Sequence, residues 1–109
     1  MQQNAFNPIG SGIAILPTAT NQTVLLPGPV GLSTGTQVHC VNLSTQAIFI
    51  TFAGGAIATV PVVGTPGTGF CIPPGAAETL TPPMGATSVG VIQATAGTGN
   101  CYFYQGEGI

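Results

Sequence analysis

QAIFITFA, residues 46–53, decides the fold class of this chain. In an extended backbone successive side chains point to opposite faces, so Ile48, Ile50 and Phe52 share one side while Phe49, Thr51 and Ala53 share the other. That period of two is the mark of a strand with one face on a core, and it makes Ile48, Ile50 and Phe52 the expected core residues. TQVHCVNL, residues 36–43, is a second β-type run just upstream. The short link through Ser44 and Thr45 predicts a hairpin between the two.

Outward from this pair, short β-type runs alternate with turn clusters: IAIL (13–16), QTVLL (22–26), AETLT (77–81), TSVGVIQA (87–94) and CYFY (101–104), while GG (54–55), the short run AIATVPVV (56–63) and GTPGTG (64–69) form the loop-richest region. Prolines at 73–74 and 82–83 bracket AETLT and confine it to a sheet edge or to the residues after a turn. With 17 glycines and 10 prolines among 109 residues, no long helix is expected. Seven to nine strands at roughly ten-residue spacing predict an all-β chain, a single antiparallel β-sandwich of jelly-roll-like type. Residues 1–12 are polar and aperiodic and read as an extended N-terminal arm, with Phe6 and Ile9 as anchors for a neighbour. Residues 13–109 form the β-sandwich domain.

Charge narrows the function. The chain has no lysine or arginine, one histidine (His39) and two acids (Glu78 and Glu107), for a formal charge of −2. Nucleic acid requires cations that displace counterions from phosphate, so it is not an expected partner. Anionic membrane surfaces are disfavoured for the same reason, and phosphorylated substrates lose their usual clamp. Only 2% of residues are charged, against about 25% in typical soluble domains. Such a surface is suited to being covered by copies of itself or by a larger assembly. No run of apolar residues is long enough for a membrane-spanning helix. The start MQQNAFNPIGSG lacks the basic and apolar regions of a secretory signal, which leads us to expect synthesis in the cytoplasm. Three widely spaced cysteines, Cys40, Cys71 and Cys101, are expected to be free and largely buried thiols.

Catalytic chemistry finds little material. His39 and Cys40 are neighbours, but in a regular strand they point to opposite faces and cannot share one site. No CxxC or HxxxH spacing supports zinc, and no cofactor signature is present. Glu78 and Glu107 form a glycosidase pair only if folding brings them within about 10 Å; the expectation is instead a solvated strand residue and a solvated tail carboxylate. We therefore expect no enzyme, no metal and no cofactor. Tyr102 and Tyr104 share one face of the last strand, with Cys101 and Phe103 on the other. Exposed tyrosines anchor interfaces well, so Phe6, Ile9, Tyr102 and Tyr104 are the candidate protein-contact residues.

Three stretches carry a family resemblance: NQTVLLPGPVGLSTGTQVHCVNLSTQAIFITFAGGAIAT (21–59), IPPGAAETLTPPMGATSVGVIQA (72–94) and the finish CYFYQGEGI (101–109). Together they resemble small virion proteins of tailed bacteriophages, with their central Val/Asn-rich hairpin, proline-glycine turn before a strand, and terminal tyrosine strand running into Gly-Glu-Gly. The resemblance spans residues 21–109 and implies a head decoration, or cement, protein on the capsid exterior of the virion. Such a protein bridges neighbouring subunits of the major capsid protein, and is itself expected to be a homo-dimer or homo-trimer. No catalytic residues come with it. The complete lack of lysine and arginine departs from docking by salt bridges and favours strand addition or apolar contact. The alternative is a tail-fibre or adhesin-type domain that grips host glycan or protein through Tyr102, Tyr104 and the 64–69 loop.

Overall fold

The computed structural model describes residues 6–31 and 35–107. It contains eight strands: β1 (Asn7–Ile15), β2 (Gln22–Leu25), β3 (Gln37–Asn42), β4 (Ile48–Ala53), β5 (Phe70–Ile72), β6 (Ala77–Leu80), β7 (Ser88–Ile92) and β8 (Cys101–Glu107). Prolines stop several of them within two residues: Pro17 after β1, Pro27 after β2, Pro73 after β5 and Pro82 after β6.

Two four-stranded antiparallel sheets result, one in the order β1-β8-β3-β6 and the other β2-β7-β4-β5. The pairings are nested: β1 with β8, β2 with β7, β3 with β6 and β4 with β5. Consecutive strands therefore mostly belong to opposite sheets. The core lies between the sheets and is filled by alternate residues of each strand, including Val38, Cys40, Ile48, Ile50, Ile72, Val89, Val91 and Phe103. Each of the large apolar side chains among them stabilises the fold by roughly 1.5–3 kcal/mol through burial. Ile48 and Ile50 take the expected core places, and Phe52 is partly buried against the same cluster.

The hairpin expected between residues 36–43 and 46–53 does not form, because β3 and β4 lie in different sheets. The chain between them turns a corner held by a buried polar cluster. Asn42 donates its amide to the carbonyls of Gln46 (2.9 Å) and Ile72 (3.0 Å) and accepts from the Ser44 N–H and hydroxyl. Gln93 then donates to the Ser44 hydroxyl (3.1 Å) and accepts from the Gly97 N–H. These bonds replace those a hairpin would have made and tie the ends of β3, β4, β5 and β7 together.

The run AIATVPVV is not a strand of either sheet either. Ala56 and Ala58 are buried, with the Ala56 carbonyl lying on Gly90 of β7; a side chain on Gly90 would meet that oxygen at 2.7 Å. Ser88 accepts the N–H groups of Gly55 (3.0 Å) and Ala56 (2.9 Å) and donates to the Ala53 carbonyl, while Asn21, just before β2, accepts the Ala58 N–H and Thr23 of β2 donates to the Ala56 carbonyl. The segment covers the outer face of the second sheet, which explains why β7 is buried on both sides.

The boundary drawn at residue 13 falls inside β1. Of the stretch read as an arm, residues 1–5 lie outside the described residues, and Asn7–Gly12 pairs with β8. Its lack of period has a cause: the register shifts between Pro8 and Gly12, where Gly10 takes a positive φ of 78°. Such a bulge breaks the alternation by which a strand is recognised.

Candidate functional site

The outer face of the first sheet gathers both tyrosines, the histidine and Phe6. Across it, Gly12, Tyr104, His39 and Thr79 form one row, and Ala14, Tyr102, Val41 and Ala77 the next. Gly12 leaves room for Tyr104 to lie over β1, since a Cβ at Gly12 would run into the Tyr104 ring. Phe6 stacks on His39 with ring centroids 5.3 Å apart and an interplanar angle of 29°, and it also covers Gly106. His39 Nδ1 in turn meets the Thr79 hydroxyl at 2.8 Å. The structure thus brings Phe6, Tyr102 and Tyr104 to one face. Ile9 is half-buried within the bulge. Phe6 contacts its own sheet here, and Tyr104 remains 36% exposed.

A second feature lies at the open end of the core, where the edge strand β5 of one sheet approaches the end of β6 in the other. Ile50, Phe52, Phe70 and Leu80 form its apolar wall, and Thr51, Thr68, Thr81, Pro82 and Pro83 complete a cleft of about 320 Å³. Phe70 points along the core side of β5, opposite Ile50, yet is 48% exposed. Beside it rises a finger of residues 59–68. Thr59 and Thr68 brace its base by reciprocal bonds between main-chain N–H and hydroxyl (3.0 and 2.9 Å). Val62 and Thr65 close its tip with two main-chain bonds (3.0 and 2.9 Å), and Gly64 takes the positive φ of 83° that the turn requires. At that tip Val62 is 59% exposed and Val63 wholly so, at 105%. The cleft has no sign in the sequence, and of the finger only the 64–69 loop stands out there, as a contact of the adhesin alternative.

The acids behave differently from one another. Glu78 is exposed on the edge strand β6, on its core side, a position that blunts an open sheet edge. Glu107 is not the solvated tail group expected: its carboxylate accepts both the N–H and the hydroxyl of Thr36, each at 2.8 Å. The register puts Glu78 two strands away from β8 and four residues along from Glu107, about 16 Å between Cα atoms at ~4.8 Å per strand and ~3.4 Å per residue. The Glu107 carboxylate is held on Thr36, while Glu78 stands exposed on the edge strand.

His39 faces outward and Cys40 inward, as their adjacency requires. Cys40 and Cys101 are fully buried. Burial pushes the Cys101 thiol up to about 12, partly offset by a main-chain hydrogen bond. It pushes Cys40 higher still, with added repulsion from Cys101 and Glu78. Cys71, expected to be buried with them, is exposed, because it takes the outer position of the edge strand β5 opposite Phe49. Among the described residues no three His, Cys, Asp or Glu side chains cluster in a way that would hold a metal ion, and no helix is long and apolar enough to cross a membrane. Comparison with family models, with curated proteins and with solved structures finds no match to this chain.

Proposed function

We propose that this chain is a structural virion protein of the head-decoration type, which binds the outer surface of a phage capsid and bridges neighbouring subunits of the major capsid protein. The observation that carries the reading is the surface. Leu16, Leu25, Leu43, Ile57, Val62, Val63, Phe70 and Met84 are all exposed on a rigid sandwich that has no cation, and one of its two acids is engaged by Thr36. Apolar groups spread over a neutral shell favour contact with other protein through shape and burial, without charge pairing. Several modest contacts made at once would give high total affinity by avidity. The nested strand order is compatible with jelly-roll winding, an architecture found in capsid and lectin domains alike, and fold alone does not choose between them.

The test is to mix the purified protein with undecorated phage shells, then measure co-sedimentation and the temperature at which the shells break down. Binding with raised heat resistance supports the reading; neither effect removes it.

A second reading, an adhesin-type domain for host glycan, is favoured by one observation, the placement of Tyr104 over Gly12 with part of its ring exposed. Aromatic faces of this kind stack on sugar rings. Antibody label on intact particles separates the two readings: label over the head supports decoration, and label at the tail tip supports adhesion.

A further inference from the structure

We propose that the finger tip of one copy of this chain enters the cleft of a second copy, with Val63 as the inserted side chain. The proposal concerns how copies meet each other, and it holds whatever larger surface they cover.

The finger has the form of a preorganised knob. A turn position ordinarily carries Gly, Asn, Asp or Ser, yet Val63 occupies the tip with its whole side chain in solvent. Its base and tip are each fixed by paired hydrogen bonds, and Gly67 packs so closely on the main chain of Pro61 and Val60 that a side chain there would meet atoms at 2.6–2.8 Å. A knob held in this way loses little conformational entropy on insertion.

The cleft is the matching hole. Its wall is made of core-side residues, Ile50, Phe52, Phe70 and Leu80, and its rim carries threonine hydroxyls and no charge. Water that fills the cleft lies against apolar surface, and an apolar tip that displaces it gains burial on both sides. Val63 does not fill the cleft of its own chain, because it is fully exposed.

The occupant is argued from charge and from area. With no lysine or arginine the chain offers no cation to an acidic partner, and neither the finger nor the lining of the cleft carries an ionisable side chain. A copy of itself meets the cleft with a neutral apolar tip. Standard interfaces take roughly 800 Å² from each partner, about a seventh of the 5757 Å² surface of this chain. Exposed Ile57, Val62 and Val63 on the finger loop, with Phe70 and Met84 at or next to the cleft, supply apolar contact for such a patch.

The first measurement is the solution mass across a concentration series. The wild type is expected to rise from 10.8 kDa to at least twice that value, and Val63→Asp to weaken association tenfold or more without loss of folded signal. Cross-linking then tests the geometry. In a Cys71→Ser background, chains carrying Val63→Cys are mixed with chains carrying Thr81→Cys. Oxidation should give a disulfide between residues 63 and 81 of different chains. A wild type that stays at 10.8 kDa, an unaffected Val63→Asp, or cross-links that form equally well between two Val63→Cys chains would each overturn the proposal. Should the wild type be a monomer that still coats shells, self-insertion fails while the decoration reading stands.

Discussion

The carboxylate of Glu107 holds Thr36 at two points, accepting its main-chain N–H and its hydroxyl at 2.8 Å each. Residues 71 positions apart are thereby joined where β8 ends and β3 begins. Hydrogen bonds to a charged acceptor contribute about 1.5–3 kcal/mol each, and partial exposure reduces that here. Glu107→Ala should therefore lower unfolding stability by about 2 kcal/mol in a urea titration. Glu107→Gln, which keeps one acceptor oxygen, should cost about half as much. An unchanged midpoint for the alanine variant would remove the clamp from the account.

Two glycines of adjoining strands should respond differently to alanine. At Gly12 the new methyl collides with the Tyr104 ring, which can swing away, and sits 3.3 Å from the Phe103 carbonyl oxygen, which needs to give only slightly, so Gly12→Ala should cost about 1 kcal/mol and increase the exposure of that tyrosine to solvent quenchers. At Gly106 the methyl meets the main-chain carbonyl of Asn7 as well as the Phe6 ring, and main chain held in a sheet cannot move aside cheaply. Gly106→Ala should cost about 3 kcal/mol or more. Comparable melting temperatures for the two variants would contradict this difference.

Asn42 sets the sheet-to-sheet corner. Its removal leaves the Ser44 N–H and the Ile72 carbonyl short of a partner inside the fold, each at about 1–3 kcal/mol where water cannot reach, while the Gln46 carbonyl keeps the Ser44 hydroxyl. Asn42→Ala should be among the most damaging single changes, at about 3 kcal/mol or more. Asn42→Asp should be no better, because it removes both amide donors and adds a buried charge. Chemical denaturation of the two variants checks this.

The buried thiols make stability fall at high pH. Both Cys40 and Cys101 ionise less readily folded than at the ordinary thiol value of 9.0, so above that value the unfolded chain binds fewer protons than the native one. Their contribution is complete below pH 9 and is lost as pH rises toward 12 and beyond. The urea midpoint should hold steady to pH 8.5 and then decline, and Cys101→Ala should flatten the decline. At pH 8 a thiol reagent should modify Cys71 in the native chain and all three cysteines only after unfolding.

Individual faces were legible in the sequence, and partners were not. Alternation in residues 46–53 gave the core side of β4 correctly, because which face is buried is a local property of the pattern. The pairing of β3 with β6 and β8, in place of β4, is not local. Its one visible sign was Asn42, a polar side chain on the same face as Val38 and Cys40, where a plain hairpin would place an apolar one. The run 56–63 lies outside both sheets, as its loop-rich setting indicates, but its packing on Gly90 follows a route unrelated to sheet pairing and has no periodic sign. On the candidate contact face, Tyr102 and Tyr104 were placed by alternation, but Phe6 reaching His39 depends on a glycine-bearing bulge with no periodic signature. The clamp on Thr36 joins distant positions and leaves no trace in either segment.

Nested pairing also orders events during synthesis. β1 and β8, which pair in one sheet, are separated in sequence by all six other described strands. Until β8 has been made, that edge of β1 is bare and free to catch a stranger. Closing the pair carries a large loop-closure cost, which makes for slow folding and makes crowded, unfinished chains the point at which this protein is most exposed to misassembly.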